Sequence, residues 1–182
     1  MKLILLLYSF LFGSVMSFER FENLIGKDIS YANQILLVEG FQHKNLLEVN
    51  LYTSNSYKEF YRMSYNMVSI MTDENKIIKD ITIHFHHIID SSFYNSFTVD
   101  YGNPDAILVI DKDDSEGKFK EINPKKEFDH KLKKVTLKVV EGKFEDGPLF
   151  MIWKKDHYDI KILKKREQNI SEITFRLPSN KL

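Results

Sequence analysis

Cysteine is absent from this 182-residue chain. Disulfides, thiolate nucleophiles and cysteine-based zinc sites are therefore excluded. So is lipid anchoring through a cysteine at the start of a mature bacterial lipoprotein. Glycine is scarce, with seven residues scattered singly, so no Gly-rich phosphate loop can be built. No GxSxG nucleophile elbow and no HExxH zinc motif occurs. Net charge is also missing. Lys plus Arg and Asp plus Glu both number 26, which argues against a dedicated nucleic-acid binder. Beyond the first residues, no apolar run is long enough to span a bilayer.

Apolar and aromatic residues are plentiful. Hydrophobic residues make up 43% of the chain, with 14 Phe and 9 Tyr, enough for a sizeable core. The opening MKLILLLYSFLFGSVMS has the order of a secretory leader. Lys2 forms the positive end, Leu3 to Phe12 an apolar stretch, and Gly13 to Ser17 a small-residue region. Val15 and Ser17 fit the positions before a cleavage point, so residues 1–17 are expected to be removed. The mature chain would then hold about 165 residues, enough for one domain. An exported chain without disulfides fits a bacterial periplasmic or extracellular protein.

The pattern predicts two successive helix-then-strand units, over 18–88 and 89–182. In the first, Asp28 is placed to cap a helix with Ile29, Ala32, Ile35 and Leu36 on one face and Gly40 at its end. A short strand over 47–53 follows. Residues 59–72 read as one long strand, 73–75 as a turn and 76–87 as the returning strand. In the second unit Asp90 or Ser91 caps a helix presenting Phe93, Phe97 and Tyr101, and Gly102 and Pro104 stop it. Strands are expected over 106–111, 119–122, 133–140, 148–154, 158–164 and 170–177. IKDITIHF (78–85) aligns with ISEITFRL (170–177), which suggests a duplication. The predicted class is α+β: two tandem units forming a mainly antiparallel sheet with helices on one face.

ITIHFHH (81–87) raises the one sharp chemical question. His84 and His86 share a strand face, and two imidazoles so spaced can bind one zinc. A three-residue loop at Asp73-Glu74-Asn75, with Asn75 left-handed, would pair Met67 with Ile81, Tyr65 with Ile83 and Met63 with Phe85. The other face would then hold Arg62, Ser64 and Asn66 opposite His86, His84 and Thr82. Arg62 beside His86 repels a cation, and no third ligand is apparent. His130, His157 or Asp90 could serve only through tertiary folding. The polar strand reading is therefore preferred, with Arg62, Ser64, Asn66, Thr82, His84 and His86 as a candidate interaction face. His87 is expected at a half-buried strand end. In the second hairpin Ile162 should face Ile173, Ile160 should face Phe175, and Tyr158 should face Leu177.

Four further features have bland readings. DKDDSEG (111–117) has calcium-like spacing at Asp111, Asp113 and Ser115, but Gly117 is one place late and Ile122 replaces the usual glutamate. PKKEFDHKLKK (124–134) carries five lysines interrupted by acids, and suits a solvated connector or strand rim. Trp153, within LFMIWK, is expected in the core. Asn169 heads a glycosylation sequon at a hairpin tip.

The LIGKDISYANQILL stretch and the YGNP helix stop give a layout that resembles the tandem-repeat architecture of β-lactamase inhibitory proteins. The resemblance covers most of the mature chain and implies an exported binding protein. Those inhibitors use disulfides, so only the layout carries over and no residue does. The expected function is non-catalytic binding of a protein or small ligand, with no cofactor. The alternative is a metal-dependent enzyme using His84 and His86.

Overall fold

The computed structural model describes residues 20–36, 42–46, 49–55, 57–111, 120–121, 133–134 and 138–178. The proposed leader lies outside the described residues, as do Gly40, residues 112–119 of the acidic loop, and residues 124–132 of the lysine-rich segment with His130. Among the described residues, no helix is long and apolar enough to cross a membrane.

A 3-10 turn at Phe21–Leu24 leads into helix α1, Ile29–Ile35. Asp28 caps α1 by accepting a hydrogen bond from Ser30 N at 2.8 Å, which satisfies one of the orphan donors of the first turn. Strands β1 (Gln42–Leu46), β2 (Val49–Ser54), β3 (Lys58–Phe60), β4 (Met63–Tyr65), β5 (Met67–Thr72) and β6 (Ile78–Phe85) follow. Helix α2, Ser91–Tyr101, is capped by the Asp90 carboxylate, which accepts from Phe93 N at 2.8 Å. Gly102 ends α2 at φ +74°, a conformation that suits glycine. The chain continues through β7 (Ala106–Ile110), β8 (Lys120–Glu121), β9 (Lys133–Lys134), β10 (Val139–Glu141), β11 (Phe150–Lys154), β12 (Asp159–Lys165) and β13 (Ile170–Arg176).

Nine strands make one antiparallel sheet in the order β1-β2-β5-β6-β13-β12-β11-β7-β10. Phe93, Phe97 and Tyr101 of α2, Ile29, Ala32 and Leu36 of the α1 segment, and Phe21 and Leu24 of the 3-10 turn are all buried in one cluster. That cluster includes Ile81, Ile83 and Phe85 of β6 and Ile160, Ile162, Ile173 and Phe175 of the second hairpin. One face of the sheet is thus covered, and the α+β class with a mainly antiparallel sheet holds. Trp153 is fully buried and donates its indole N–H to Gly102 O at 2.8 Å.

The second hairpin has the expected register, with Ile162 opposite Ile173 and Ile160 opposite Phe175. Tyr158 and Leu177 lie just beyond its paired strands. The first hairpin differs from expectation in two ways. Residues 59–72 are not one strand. The chain turns back at Tyr61-Arg62, and β3 and β4 form a separate two-stranded hairpin with Phe60 opposite Met63. Both turn residues are left-handed, at φ +50° and +63°, as a two-residue primed turn requires. Turns of this kind usually advertise themselves by Asn-Gly, and Tyr-Arg gives no such signal.

The register of β5 on β6 is also shifted. Met67 lies opposite His84, Val68 opposite Ile83 and Ile70 opposite Ile81. The connection is longer than three residues: Asp73 N donates to Ile77 O, and the Asp73 carboxylate accepts from Ile77 N. Lys76, rather than Asn75, takes the left-handed position. A bulge between Met71 and Thr72 completes the shift. The inward face of β6 is nevertheless as predicted, because alternation along one strand does not depend on its partner.

Candidate functional site

The sheet face away from the helices is not covered by any described element. At its centre lie Ser69 of β5, Thr82 and His84 of β6, and Glu172 and Thr174 of β13. All point outward because their neighbours Val68, Ile83 and Ile173 point into the core. Leu51, Met67 and Met71 flank this polar stripe on one side. Phe150, Ile152 and Leu163 flank it on the other.

His84 is the hub of the stripe. Its Nε2 lies 2.9 Å from Ser69 Oγ, and its Nδ1 lies 3.5 Å from Glu172 Oε1. Lys165 Nζ reaches the same Glu172 oxygen at 3.4 Å. Burial holds the imidazole below its ordinary pKa, and the Glu172 carboxylate only partly offsets this. His84 is therefore neutral at pH 7. With Nδ1–H directed to Glu172, Nε2 accepts from the Ser69 hydroxyl.

Ser69, His84 and Glu172 thus have the order of a nucleophile, base and orienting acid. The surroundings differ from those of an acyl-transfer site. Ser69 sits in a strand paired on both sides, so its N–H belongs to the ladder and is not free to hold an oxyanion. The arrangement forms a polar network on the outward face of the sheet.

The sequence-selected residues are only partly brought together. Thr82 and His84 sit in the stripe as expected. His86 and His87 lie past the end of β6 in an exposed bend, so His87 is not half-buried. Arg62, Ser64 and Asn66 do not oppose the histidines. Arg62 is exposed in the Tyr61-Arg62 turn, Ser64 pairs with Glu59, and Asn66 links β4 to β5. His157 is in an exposed bend between β11 and β12, and the Asp90 carboxylate is engaged as a helix cap. Among the described residues, no three His, Asp or Glu side chains are arranged to hold a metal ion. Asp111, the described part of the calcium-like segment, takes Lys138 Nζ at 2.7 Å. Asn169 is exposed and left-handed at the β12–β13 tip.

A polar cleft on the helix side escaped sequence reasoning because its residues are far apart in the chain. It encloses about 330 Å³ between the 3-10 turn, the Tyr61 turn, the end of α2 and the start of β12. Tyr101 donates to Glu22 Oε2 at 2.9 Å, and Tyr61 donates to Asp100. Burial first, then these carboxylates, push both phenols far above their usual range, so both stay protonated as donors. Comparison with family models, curated proteins and solved structures found no match, so the chemistry of these sites rests on their own geometry.

Proposed function

We propose that this is an exported, non-catalytic binding protein whose recognition surface is the uncovered face of the nine-stranded sheet. The single observation that carries this reading is the make-up of that face: a hydrogen-bonded polar stripe at Ser69, His84 and Glu172 between flanks rich in apolar residues, one of them carrying Lys161 over the Phe150 ring. Such a surface offers directional contacts at its centre and area at its sides, which is how protein interfaces combine specificity with burial. A metal-dependent reaction at His84 and His86 is not proposed, since both ring nitrogens of His84 face protein groups.

The same reading takes residues 1–17 as a leader and 18–88 and 89–182 as two related units. The strand order supports this. Leaving out the edge strand β10, the order reads β1-β2-β5-β6 from the edge to the centre on one side and β7-β11-β12-β13 from the edge to the centre on the other. The aligned residues Thr82 and Thr174 meet at the midpoint.

Hydroxyl-radical footprinting tests the surface. The protein is oxidised in the fluid into which it is secreted and, separately, in buffer. Met67, Met71 and Phe150 should lose reactivity together in the native fluid. Protection confined to the helix side, or none, would overturn the reading. Mass spectrometry of the secreted form should find an N-terminus at or near Phe18.

A further inference from the structure

A second cavity lies at the other end of β12, away from the tyrosine cleft. It encloses about 380 Å³ and is lined by Pro148, Leu149, Ile110, Lys164 and Arg166, among others. Lys164 is out of pattern there. Along β12 the inward positions are Ile160, Ile162 and Lys164, so a lysine occupies a core position and is only 4% exposed. Its Nζ sits 4.3 Å over the Phe144 ring. No hydrogen bond or ion pair joins it to a carboxylate among the described residues. Buried charges are normally paired, and one that is not favours its neutral form.

Arg166 sets the second half of the site. Gly147, at φ +76°, leaves room for its guanidinium: a Cβ there would lie 2.2 Å from Arg166 Nη2. A cationic guanidinium near a desolvated amine is a setting that activates lysine as a nucleophile. Burial first, then the Arg166 charge, lower the Lys164 amine to about 8, against an opposing pull from Asp90 at the start of α2. Lys165 and Glu167 also border the cavity, on the same hairpin. At neutral pH the free-base fraction is roughly a few hundred times that of an ordinary lysine.

We infer that Lys164 is a carbonyl-capturing residue, forming an imine with a small aldehyde or ketone whose anionic group is held by Arg166. The Nζ lone pair attacks the carbonyl carbon and the C=O pair moves to oxygen. Nitrogen then passes a proton to that oxygen, giving a carbinolamine. With a proton from solvent, nitrogen expels the hydroxyl as water and leaves C=N. Neither oxidant nor reductant is consumed. Lys165 borders both this site and the open sheet face, but labelling of Lys164 and protection of that face are separate readouts, so one reading can fail without the other.

Glyoxylate with cyanoborohydride is the probe, because reduction traps the imine as a stable adduct that peptide mapping can place. The full-length protein is treated from about pH 6 to about pH 10. Lys164 should label about tenfold faster than exposed Lys154 at pH 7, saturate with glyoxylate, and show a rate midpoint near pH 8. Arg166→Gln should reduce the advantage of glyoxylate over propionaldehyde, while leaving propionaldehyde labelling in place. Lys164→Arg should lose the fast adduct with an unchanged circular dichroism spectrum. Wild-type labelling of Lys164 no faster than Lys154, or without saturation, would overturn the inference whether or not the variants fold.

Discussion

The hydroxyls of Thr82 and Thr174 face each other across the middle of the sheet, 2.9 Å apart, although 92 positions separate them in the chain. They hydrogen-bond on the open face while Ile81, Ile83, Ile173 and Phe175 fill the core behind them. Thr82→Val alone strands the Thr174 hydroxyl and should cost about 1 kcal/mol, whereas changing both to Val should be nearly neutral. Denaturant unfolding of the two singles and the double measures the coupling. Additive losses would show that the pair contributes nothing as a pair.

Ile83 lies between Val68 and Ile173 and is fully buried. Ile83→Asp places a carboxylate there without a partner and should cost about 3–5 kcal/mol. Phe175→Asp, on the neighbouring strand, should do the same. Thermal melting checks both variants, and both should melt far below the wild type or fail to fold.

Arg62 holds φ +63° in an exposed turn. A left-handed non-glycine residue costs about 1–2 kcal/mol. Arg62→Gly should therefore stabilise the protein by about 1 kcal/mol and raise its melting temperature by a few degrees. Tyr61 is different. Its ring packs 4.8 Å from Phe60 and 5.3 Å from Phe97, so Tyr61→Gly should lose more than it relieves.

His84 gives a pH dependence of definite sign. In the unfolded chain it takes a proton near pH 6.5, while burial lowers its pKa in the fold. The unfolded state therefore binds more protons as pH falls through 6.5. The contribution of His84 is complete above that pH and is lost on acidification towards its folded value. Melting curves from about pH 7 to about pH 5 should show a steeper decline for wild type than for His84→Thr. Equal slopes would place the acid sensitivity elsewhere.

Local signals in this chain were legible and long-range ones were not. Asp28 and Asp90 cap helices as read, because a cap depends on atoms two or three residues away. The inward face of β6 was legible from alternation alone. The register of β5 was not, because it depends on the left-handed Lys76, the Asp73–Ile77 contacts and a bulge at Met71–Thr72. The partners of His84 differ for the same reason: a shift of three residues replaces Ser64 with Met67 opposite it and brings Ser69, opposite Thr82, within diagonal reach of its ring. Glu172 comes from a strand whose pairing with β6 no local pattern encodes. Lys164 did leave a trace, as a lysine at core parity in YDIKILK, and that irregularity marks the cavity.

The seam between β6 and β13 also governs how the chain assembles. β6 ends at Phe85 and its partner β13 begins only at Ile170, so the ladder closes only after the intervening chain has been laid down. Closing so long a loop costs entropy before any contact returns it, which makes this a late and slow step. Until it occurs, β6 has an open edge bearing Ile81 and Ile83, the kind of surface through which nascent chains stick to one another. The strand that completes the core is also the one that shields the half-made protein from its neighbours.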